Sequence, residues 1–578
     1  PTLIFSTYTG STADNFGFTA TYDAAGSMYL GGLVHSAGYP VSTGAVQINY
    51  AGGQDIFNQQ YACDMGITKL TGAGNAMIWS TYLGGSHNET PHSLFVDNNG
   101  DLLIYGRTYS NNFPIVTGAY DPVSNGGADI VVSKINAAGN ALLASTYLGG
   151  SSDDGVNFSV SEPVQGKLKA NYGDDARGEI IADASNNVYV ATCTKSANFP
   201  TTSNAFQGSI GGAQDGCVFK FNSSLSTLLF SSFIGGSDED ACYSLDIFNN
   251  EVYTCGGTMS SNFPATSGTL HSNFQGGESD GFVAHINTTG TALLQSSFIG
   301  TGEADQVYFI KLDDLANAYF FGQTAGNYPV TGGVYSNANS GQFIHKLDPT
   351  LSTTIYSTVF GNGNGSPNIS PTAFLVDTCE NIYVSGWGGT VFTGWPQFTM
   401  NMLNMPITSG ALQTTTDGND FYLAVFKKDM TQLMYATYFG GYSAPGSDLG
   451  TEHVDGGTSR FDKNGYVYQA VCAGCGGTSL TPTTQGALSE VNGSFNCNQL
   501  GFKMEINLFV VTADLAAFPT ATGCVPLNVS FSNSSVNATQ YFWDFGDGAT
   551  STENTPTHIF TDTAVSYTHL TLPTNREV

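Results

Sequence analysis

The sequence predicts an all-β protein whose larger part is a seven-bladed β-propeller, and three observations support this fold class. Glycine occurs 71 times in 578 residues, and 12% of the residues are aromatic against 11% charged, a composition typical of turn-rich β proteins. A strand-like segment, clearest as Trp-Ser-Thr-Tyr-Leu-Gly-Gly at residues 79–85, occurs seven times. The copies keep a fixed order with three other segments, and such repetition is typical of repeat folds.

Each repeat contains four segments that predict β-strands, and the second repeat shows them most clearly. Its strands are predicted over residues 92–97, 102–106, 130–135 and 141–148. The Asn-Asn-Gly-Asp sequence at 98–101 is a turn of the kind that closes hairpins. Four antiparallel strands in each repeat, packed against the neighbouring repeats, describe the blades of a propeller.

The two ends of the repeat array predict how the ring closes. The seventh repeat has a hairpin at 459–471 and a third strand at 500–506, but no fourth strand follows. The chain begins with a fourth strand, at 3–8, that no repeat precedes. Because an open sheet edge invites aggregation, we predict that this N-terminal strand completes the seventh blade and closes residues 1–508 into a ring.

Two of the repeated segments resemble a known family. The Ser-Thr-Tyr-Leu-Gly-Gly strand, as at 145–150, and the Asn-Phe-Pro connection, as at 112–114, recur in register. Together they resemble the SBBP repeats of bacterial seven-bladed propellers over about residues 1–508. The resemblance implies the propeller architecture and occurrence in exported bacterial proteins, and it brings no agreed activity.

The residues after 508 predict a second domain. The sequence Tyr-Phe-Trp-Asp-Phe-Gly-Asp-Gly at 541–548 resembles the signature of the PKD domain, an immunoglobulin-like β-sandwich of surface proteins. We place this domain at residues 511–564 and expect the β-sandwich to be truncated. Residues 565–578 are predicted to be a non-native tail, because their first part resembles a translated sequencing adapter.

The charge balance excludes two classes of partner. The chain has 46 acidic and 16 basic residues, a formal net charge of −30, and shows no cluster of Lys and Arg. Nucleic acids and anionic membranes both require basic patches, so we expect neither as a partner. No apolar run reaches about 18 residues, so no membrane insertion is expected. Few lysines and loops rich in Asn, Thr and Ser favour an extracellular or bacterial cell-surface location.

Aspartates recur ahead of the third strand in several repeats. They are Asp55, Asp129, Asp215, Asp280 and Asp420. Carboxylate oxygens are ligands that Ca²⁺ prefers, but aspartates at strand ends also form Asx turns with the backbone. Because no loop shows the dense alternation of acids of a dedicated Ca²⁺ site, we predict no cofactor, with Ca²⁺ as the alternative.

The cysteines give further candidate sites. Cys472, Cys475 and Cys497 of the seventh repeat offer three metal thiolates without a fourth ligand near in sequence. A disulfide from one of the first two to Cys497 is favoured for an exported chain. Two other pairs are disulfide candidates: Cys242 with Cys255, and Cys193 with Cys217.

One pattern of catalytic type occurs, and we interpret it as structural. Gly-Glu-Ser-Asp-Gly at 277–281 matches a nucleophile elbow, which requires a strand–turn–helix. Sibling repeats carry Gln54, Ala128 and Gln214 where this one has Ser279, so the segment predicts a turn before a third strand. The sequence therefore predicts no catalytic residue and no enzyme.

Loop lengths predict a binding face. In a four-stranded blade, the connections between blades and between the second and third strands share one face of the disc, and the long insertions fall there. The insertion in the sixth repeat carries four aromatic residues: Trp387, Phe392, Trp395 and Phe398. Exposed aromatics stack on sugars or anchor a protein partner, and the alternative is a local cluster that stabilises the loop.

These observations favour a non-enzymatic exported or cell-surface protein. Its propeller is predicted to be a rigid platform for adhesion or recognition of an extracellular protein or glycan, with the PKD domain as spacer. The alternatives are an extracellular polysaccharide-processing enzyme or its accessory module, and a purely structural segment of a larger surface protein. A cluster of Asp or Glu with His and Tyr at the central channel would favour the enzyme.

Overall fold

The computed structural model divides the chain into two units, residues Pro1–Ile506 and Asn507–Val578. It describes residues 1–53, 62–157, 168–169, 172–389, 400–443, 451–506, 515–518, 525–533, 535, 540–561 and 569–571. Within these ranges, no helix is both long enough and apolar enough to cross a membrane.

The first unit contains seven four-stranded antiparallel sheets, which are the blades. Strand β1 is Thr2–Tyr8. Blade 1 contains β2 (Asn15–Tyr22), β3 (Met28–Val34), β4 (Asp64–Leu70) and β5 (Met77–Leu83). Blade 2 contains β6 (Glu89–Val96), β7 (Leu102–Thr108), β8 (Asp129–Ile135) and β9 (Leu142–Leu148). Blade 3 contains β10 (Glu179–Ala182), β11 (Val188–Thr194), β12 (Asp215–Phe221) and β13 (Leu228–Ile234).

The remaining blades have the same plan. Blade 4 contains β14 (Asp240–Phe248), β15 (Glu251–Thr258), β16 (Asp280–Ile286) and β17 (Leu293–Ile299). Blade 5 contains β18 (Asp305–Leu312), β19 (Ala318–Thr324), β20 (Gln342–Leu347) and β21 (Thr354–Phe360). Blade 6 contains β22 (Ser370–Val376), β23 (Ile382–Trp387), β24 (Phe421–Phe426) and β25 (Leu433–Phe439). Blade 7 contains β26 (Arg460–Phe461), β27 (Tyr466–Ala473) and β28 (Asn498–Glu505), and two 3₁₀ helices lie at Tyr172–Ala176 and Lys428–Met430.

The N-terminal strand closes the ring. Strand β1 pairs with β28 from Thr2 opposite Glu505 to Tyr8 opposite Leu500, so it is the fourth strand of blade 7. Phe5 of β1 also belongs to an apolar cluster with Met28 of blade 1. The predicted seven-bladed propeller closed by the N-terminal strand is therefore confirmed.

The two repeated motifs bind each other. The Tyr147 hydroxyl, from the Ser-Thr-Tyr-Leu-Gly-Gly strand, accepts the backbone N–H of Phe113 and donates to the Ser110 carbonyl, both at 2.9 Å. Asn112, which precedes Phe113, accepts the backbone N–H of Ser86 at 2.9 Å, just after the glycine pair of the previous blade. Blades 1 and 6 also fix their long connections through a tyrosine hydroxyl, of Tyr82 and Tyr438, whereas blades 3 and 4 carry phenylalanine at this position.

An aspartate fixes the tight turn between the first two strands of a blade. Asp97 Oδ1 accepts the backbone N–H groups of Asn99 and Asp101 at 2.9 and 3.0 Å, and its Oδ2 pairs with Lys134 at 2.8 Å. The same ion pair recurs in other blades: Lys69 with Asp23, Lys220 with Asp183, and Lys346 with Asp313. A large share of the few basic residues is therefore used inside the blades.

The second unit is a small β-sandwich. One sheet contains β29 (Leu515–Phe518), β30 (Leu527–Asn533) and β33 (Thr557–Phe560), and the other contains β31 (Phe542–Asp544), β32 (Thr550–Ser551) and β34 (His569–Thr571). Its core contains Val529, Phe531, Trp543 and Phe545. Strand β34, which pairs with β31, lies in the segment predicted to be a non-native tail, and the origin of that segment stays a prediction.

Candidate functional site

The first strands of the blades line the central channel, and one end of this channel is filled. The 3₁₀ helix Tyr172–Ala176 lies across it at the end where these strands begin. Arg177 follows this helix and binds the Asp174 carboxylate at 2.9 Å, the Pro371 carbonyl at 2.7 Å and the Ser370 hydroxyl at 2.9 Å. The insertion between blades 2 and 3 is therefore fixed to blade 6 across the axis. We call the part at residues 172–177, which fills this end of the channel, the plug.

Below this plug lies a buried cluster of titratable groups. His92 Nδ1 and the Tyr105 hydroxyl are 3.1 Å apart, and Arg107 binds Asp175 at 2.8 Å. Burial lowers the pKa of His92 well below its ordinary value, so the imidazole is neutral. Burial raises the pKa of Asp175, but Arg107 offsets this and the net pKa is lowered, so the carboxylate is ionised. The residue types of an acid–base centre are present, but His92 and Tyr105 are fully buried.

The opposite end of the channel is open and contains a cavity of about 210 Å³. This axial cavity lies at the end of the tight turns, where the first strands finish. Five aromatic residues contribute to its wall: Tyr22, Phe95, Phe309, Phe374 and Phe461. Three charged residues also line it: Glu179, Lys311 and Arg460. It combines an apolar wall with a few polar groups, as ligand sites do.

Arg460 holds the wall of the axial cavity together. Its Nη1 binds Glu179 Oε1 at 2.7 Å, its Nη2 donates to the Ile180 carbonyl at 2.8 Å, and its Nε donates to the Leu94 carbonyl at 2.9 Å. These contacts join blade 7 to blades 2 and 3. Because the guanidinium group is engaged on three sides, we assign Arg460 a structural role.

Lys311 is the charged group that a ligand would meet, and Glu179 lies buried beside it. Burial raises the pKa of Glu179, but Lys311 and Arg460 more than offset this, so the net pKa is lowered and the carboxylate is ionised. Glu179 Oε2 also accepts the Ser244 hydroxyl at 2.5 Å. The Lys311 ammonium is 3.8 Å from Glu179 Oε1, and about a fifth of its side chain (21%) is exposed. The cavity thus offers a cationic donor, held by a buried carboxylate, beside aromatic rings, which suits binding.

The predicted aromatic binding loop requires a correction. Trp387 is the last residue of β23, pairs with Phe421 and is only 2% exposed, so it is not a surface contact. The reason is that the second strand of blade 6 extends to this residue. Met402 and Met405 of the same connection are also buried. The other three aromatics lie outside the described residues: Phe392, Trp395 and Phe398.

The long-connection face also contains a cleft, next to blade 5. Its volume is about 530 Å³, and Asn327, Tyr328, Ser336 and Asn339 contribute to its lining. No charged residue lines this blade 5 cleft, and its walls carry fewer aromatic groups than the axial cavity. We therefore rank the axial cavity first.

The aspartates ahead of the third strands lie in buried carboxylate pairs. Each pairs with an acid at the start of the next blade, and the described pairs are Asp64 with Glu89, Asp129 with Asp154, Asp215 with Asp240, Asp280 with Asp305, and Asp420 with Glu452. Asp55 lies outside the described residues, and Asp64 takes the corresponding position.

The glycine pair of the repeat makes room for these acids. A Cβ on Gly149 would lie 2.1 Å from Asp129 Oδ1 and 2.8 Å from Asp154 Oδ2, closer than atoms can approach. Asp154 also accepts the backbone N–H of Gly150 at 2.7 Å. Other oxygens of these pairs accept no hydrogen bond among the described residues, for example Asp129 Oδ1, Asp240 Oδ1 and Asp305 Oδ1. Because carboxylate oxygens are ligands that Ca²⁺ prefers, Ca²⁺ binding stays a prediction.

We expect the carboxylate pairs to make stability fall as pH rises from weakly acid to neutral. Burial raises the pKa of Asp154 and Asp240 to about 7 and that of Glu89 to about 8. Because these values exceed the pKa of about 4 in the unfolded chain, the stabilisation is complete below about pH 4 and is lost progressively as pH rises to about 7 to 8. Thermal unfolding from pH 5 to 9 should show a Tm that declines from pH 5 to about pH 8 and then levels off.

A matched substitution tests the same effect at one site. In the blade 5–6 interface the chain itself has an amide pair, Gln342 with Asn368, in place of two acids. Asp240→Asn should therefore raise the Tm at pH 9 relative to the unchanged chain. The fall in Tm with rising pH should also be smaller in this variant. Asp314→Asn, at an exposed position, is the control and should change neither. A Tm that is flat or rises between about pH 5 and 8 would contradict the prediction.

The cysteines form one disulfide among the described residues, between Cys475 and Cys497. Cys472 is a free thiol whose sulfur lies 3.7 Å from that of Cys475. The other two proposed disulfides, Cys242 with Cys255 and Cys193 with Cys217, are wrong. All four cysteines are free, buried thiols. The two members of each pair pack in different apolar clusters and therefore face away from each other.

The architecture and the comparisons together define the class of protein. It is a seven-bladed β-propeller followed by an immunoglobulin-like sandwich, and a family model described as a beta-propeller repeat, SBBP, matches residues 78–114. A family model of the PKD domain matches residues 511–576. The seven-bladed propeller therefore carries an SBBP-type repeat, and the chain carries a C-terminal PKD domain.

Other comparisons add only distant likenesses. No curated protein matches. A protein of unknown function from Dyadobacter fermentans is 9% identical, with a TM-score of 0.38 over 87% of this chain and 99% of that one. A polysaccharide lyase, PL25 ulvan lyase, bound to -[GlcA(1-4)Rha3S]- is 9% identical, with a TM-score of 0.38 over 81% of this chain and 92% of that one. Polysaccharide lyase Uly1 is 9% identical, with a TM-score of 0.35 over 85% of this chain and 90% of that one, and likenesses this weak carry no argument about function.

Proposed function

We propose that the chain is a non-enzymatic extracellular recognition module that binds a glycan unit in the axial cavity, with the PKD domain as spacer. The observation that carries this proposal is the combination of aromatic walls with Lys311 and Glu179 in a concave site of about 210 Å³. Sugar rings pack their C–H faces on aromatic side chains. Their hydroxyl groups accept hydrogen bonds, so they match the partly exposed Lys311 ammonium, which lies beside the buried Glu179 carboxylate.

The charges of the cavity favour a neutral sugar unit over an anion. Glu179 is ionised and already shared between Arg460 and Lys311, so the cavity carries both signs. An anion would meet Glu179 and the −30 charge of the whole chain, and a cation would meet Arg460. A polyhydroxylated neutral ligand avoids both penalties.

Replacement of Lys311 tests the proposal. We expect Lys311→Ala to weaken glycan binding by about 10- to 100-fold, because a hydrogen bond from a charged group contributes about 1.5–3 kcal/mol. The measurement is a glycan array followed by calorimetric titration of the best ligand. Lys427→Ala, which removes an exposed lysine from the edge of blade 6, is the matched control and should bind like the unchanged chain.

The outcomes separate the alternatives. Equal binding by Lys311→Ala and the unchanged chain would place the ligand elsewhere, with the blade 5 cleft as the next candidate. Absence of any glycan binding would favour a protein partner or a purely structural role. A circular dichroism melt of each variant checks that loss of binding is not loss of folding.

The buried cluster under the plug supports a second candidate, a polysaccharide-processing enzyme. His92, Tyr105 and Arg107 provide a neutral base, a phenol and a cation, and the polar residues at the channel that the enzyme alternative requires are therefore present. The complete burial of His92 and Tyr105 argues against access by a polymer. Product formation from a polysaccharide that His92→Ala abolishes would support the enzyme, and intact substrate would support the recognition module.

A further inference from the structure

Blade 7 brings three cysteine sulfurs and one imidazole together. The ligand atoms of His453, Cys472 and Cys475 all lie within 4.8 Å of one another, and Cys497 is bonded to Cys475. The sequence offers the three cysteines but no fourth ligand close to them. The structure supplies His453 from the connection between blades 6 and 7.

The backbone fixes these four residues. His453 and Cys472 form an isolated antiparallel bridge, in which the Cys472 N–H donates to the His453 carbonyl at 2.8 Å and the His453 N–H donates to the Cys472 carbonyl at 3.3 Å. Cys472 lies in β27, and the turn at Gly474, with φ of 66°, directs Cys475 back toward it. Cys497 directly precedes β28, the neighbour of β27. The cluster is thus built on the sheet, with Cys472, His453 and Cys497 buried.

The arrangement has the ligand chemistry of a structural zinc site. Three Cys and one His, two of them in a Cys-x-x-Cys spacing, are a common zinc ligand set. A tetrahedral ion with Zn–S bonds of about 2.3 Å holds its sulfurs roughly 3.8 Å apart. The Cys472 and Cys475 sulfurs are 3.7 Å apart. Asp455 Oδ1 lies 3.6 Å from His453 Nε2, where a carboxylate can orient a zinc-bound imidazole.

We propose that the reduced form of this cluster is a tetrahedral Zn²⁺ site with Cys472, Cys475, Cys497 and His453 as ligands. The disulfide and the zinc site are then alternative states of the same sulfurs. A dithiol transfers two hydrogen atoms to the Cys475–Cys497 disulfide and becomes a disulfide itself. The three cysteine thiols release their protons as Zn²⁺ binds, and His453 coordinates as the neutral imidazole.

Such a site would fix the blade that closes the ring. Its ligands join the blade 6–7 connection to β27 and to the start of β28, and β28 is the strand on which β1 pairs. With four protein ligands it would be closed to substrate, as structural zinc sites are. The proposal is therefore independent of the glycan site in the axial cavity.

The test uses the full chain with Zn²⁺ or Co²⁺ alone as the probe. After anaerobic reduction with a dithiol and removal of the reductant, native mass spectrometry should show one Zn²⁺ per chain, and Co²⁺ should give the intense visible absorption of tetrahedral thiolate coordination. The oxidised chain should bind neither ion. Cys472→Ala and His453→Ala should each bind at least tenfold more weakly, whereas Cys379→Ala, which removes a free cysteine outside the cluster, should bind like the unchanged chain.

Two further measurements keep the proposal falsifiable if a variant does not fold. In the reduced, unchanged chain, Zn²⁺ should protect Cys472, Cys475 and Cys497 together from alkylation, as peptide mass spectrometry can show. Asp455→Asn should reduce zinc affinity by about 10- to 100-fold, as loss of a partner that orients a ligand does. Failure of the reduced chain to bind Zn²⁺, or alkylation of the three thiols at an unchanged rate, would overturn the proposal.

Discussion

Removal of residues 1–10 is expected to lower the unfolding free energy by more than about 5 kcal/mol, the largest effect we predict. The deletion removes β1 and leaves the edge of β28 open. It also removes Phe5 and Tyr8, which are fully buried, and loss of one buried aromatic side chain alone costs about 3–5 kcal/mol. Phe5 packs with Ala20 and Met28 of blade 1, so the blade 7–1 interface loses its contacts as well.

Three comparisons make this experiment specific to ring closure. Phe5→Ala should lower the Tm in the same direction but by less, and Thr2→Ala, at an exposed position of the same strand, should leave the Tm unchanged. A peptide of residues 1–10 added to the truncated chain should restore part of the lost Tm, because it can pair with β28. A truncated chain with an unchanged Tm would contradict closure by β1.

The ring itself could be predicted because the blades repeat the same sequence segments in the same order. The Tyr147 hydroxyl and the Phe113 backbone belong to motifs that recur in register, so seven imperfect copies reinforce one interpretation. The reason for the glycine pair was not visible in the sequence. It depends on Asp129 and Asp154, which come from neighbouring blades and meet only once the ring is closed.

The axial cavity could not be predicted in the same way. Arg460 and Glu179 are 281 residues apart in sequence, and each occurs in a single repeat, so no periodic pattern connects them. The available signal was weaker: a lysine and an arginine in first strands, in a chain with only 16 basic residues. The aromatic signal of the sixth repeat was misleading for Trp387, because the length of β23 decides whether that residue is buried.

The cysteine cluster could be predicted from the sequence only in part. The sequence placed Cys472, Cys475 and Cys497 together as either disulfide or metal ligands. His453 was missed because it reaches the site through an isolated bridge and not through a regular strand. A ligand that depends on one bridge of two hydrogen bonds has no signature in the pattern of apolar residues.

Arg460→Ala is expected to lower the unfolding free energy by about 3–5 kcal/mol, the second largest effect, because removal of one partner leaves a buried charge uncompensated. Glu179 would keep the distant Lys311, the Ser244 hydroxyl and a long hydrogen bond from the Leu245 N–H, and would lose its closest cation. The carbonyls of Leu94 and Ile180 would lose their donor. Chemical denaturation at neutral pH measures the effect.

The charge of Glu179 separates this mechanism from simple loss of packing. If the uncompensated carboxylate causes the loss, then Glu179→Gln should recover part of the stability in the Arg460→Ala background while destabilising the unchanged chain. The double-mutant cycle should therefore give a coupling energy well above 1 kcal/mol, as for neighbours in one ion network. Independent effects of the two substitutions, or a loss below about 1 kcal/mol for Arg460→Ala, would show that Arg460 does not hold the channel wall. A coupling energy of this size would explain how seven blades joined mainly by apolar contacts keep an open, charged cavity on the axis. One guanidinium group, that of Arg460, binds acceptors from two other blades and fixes the spacing of those blades.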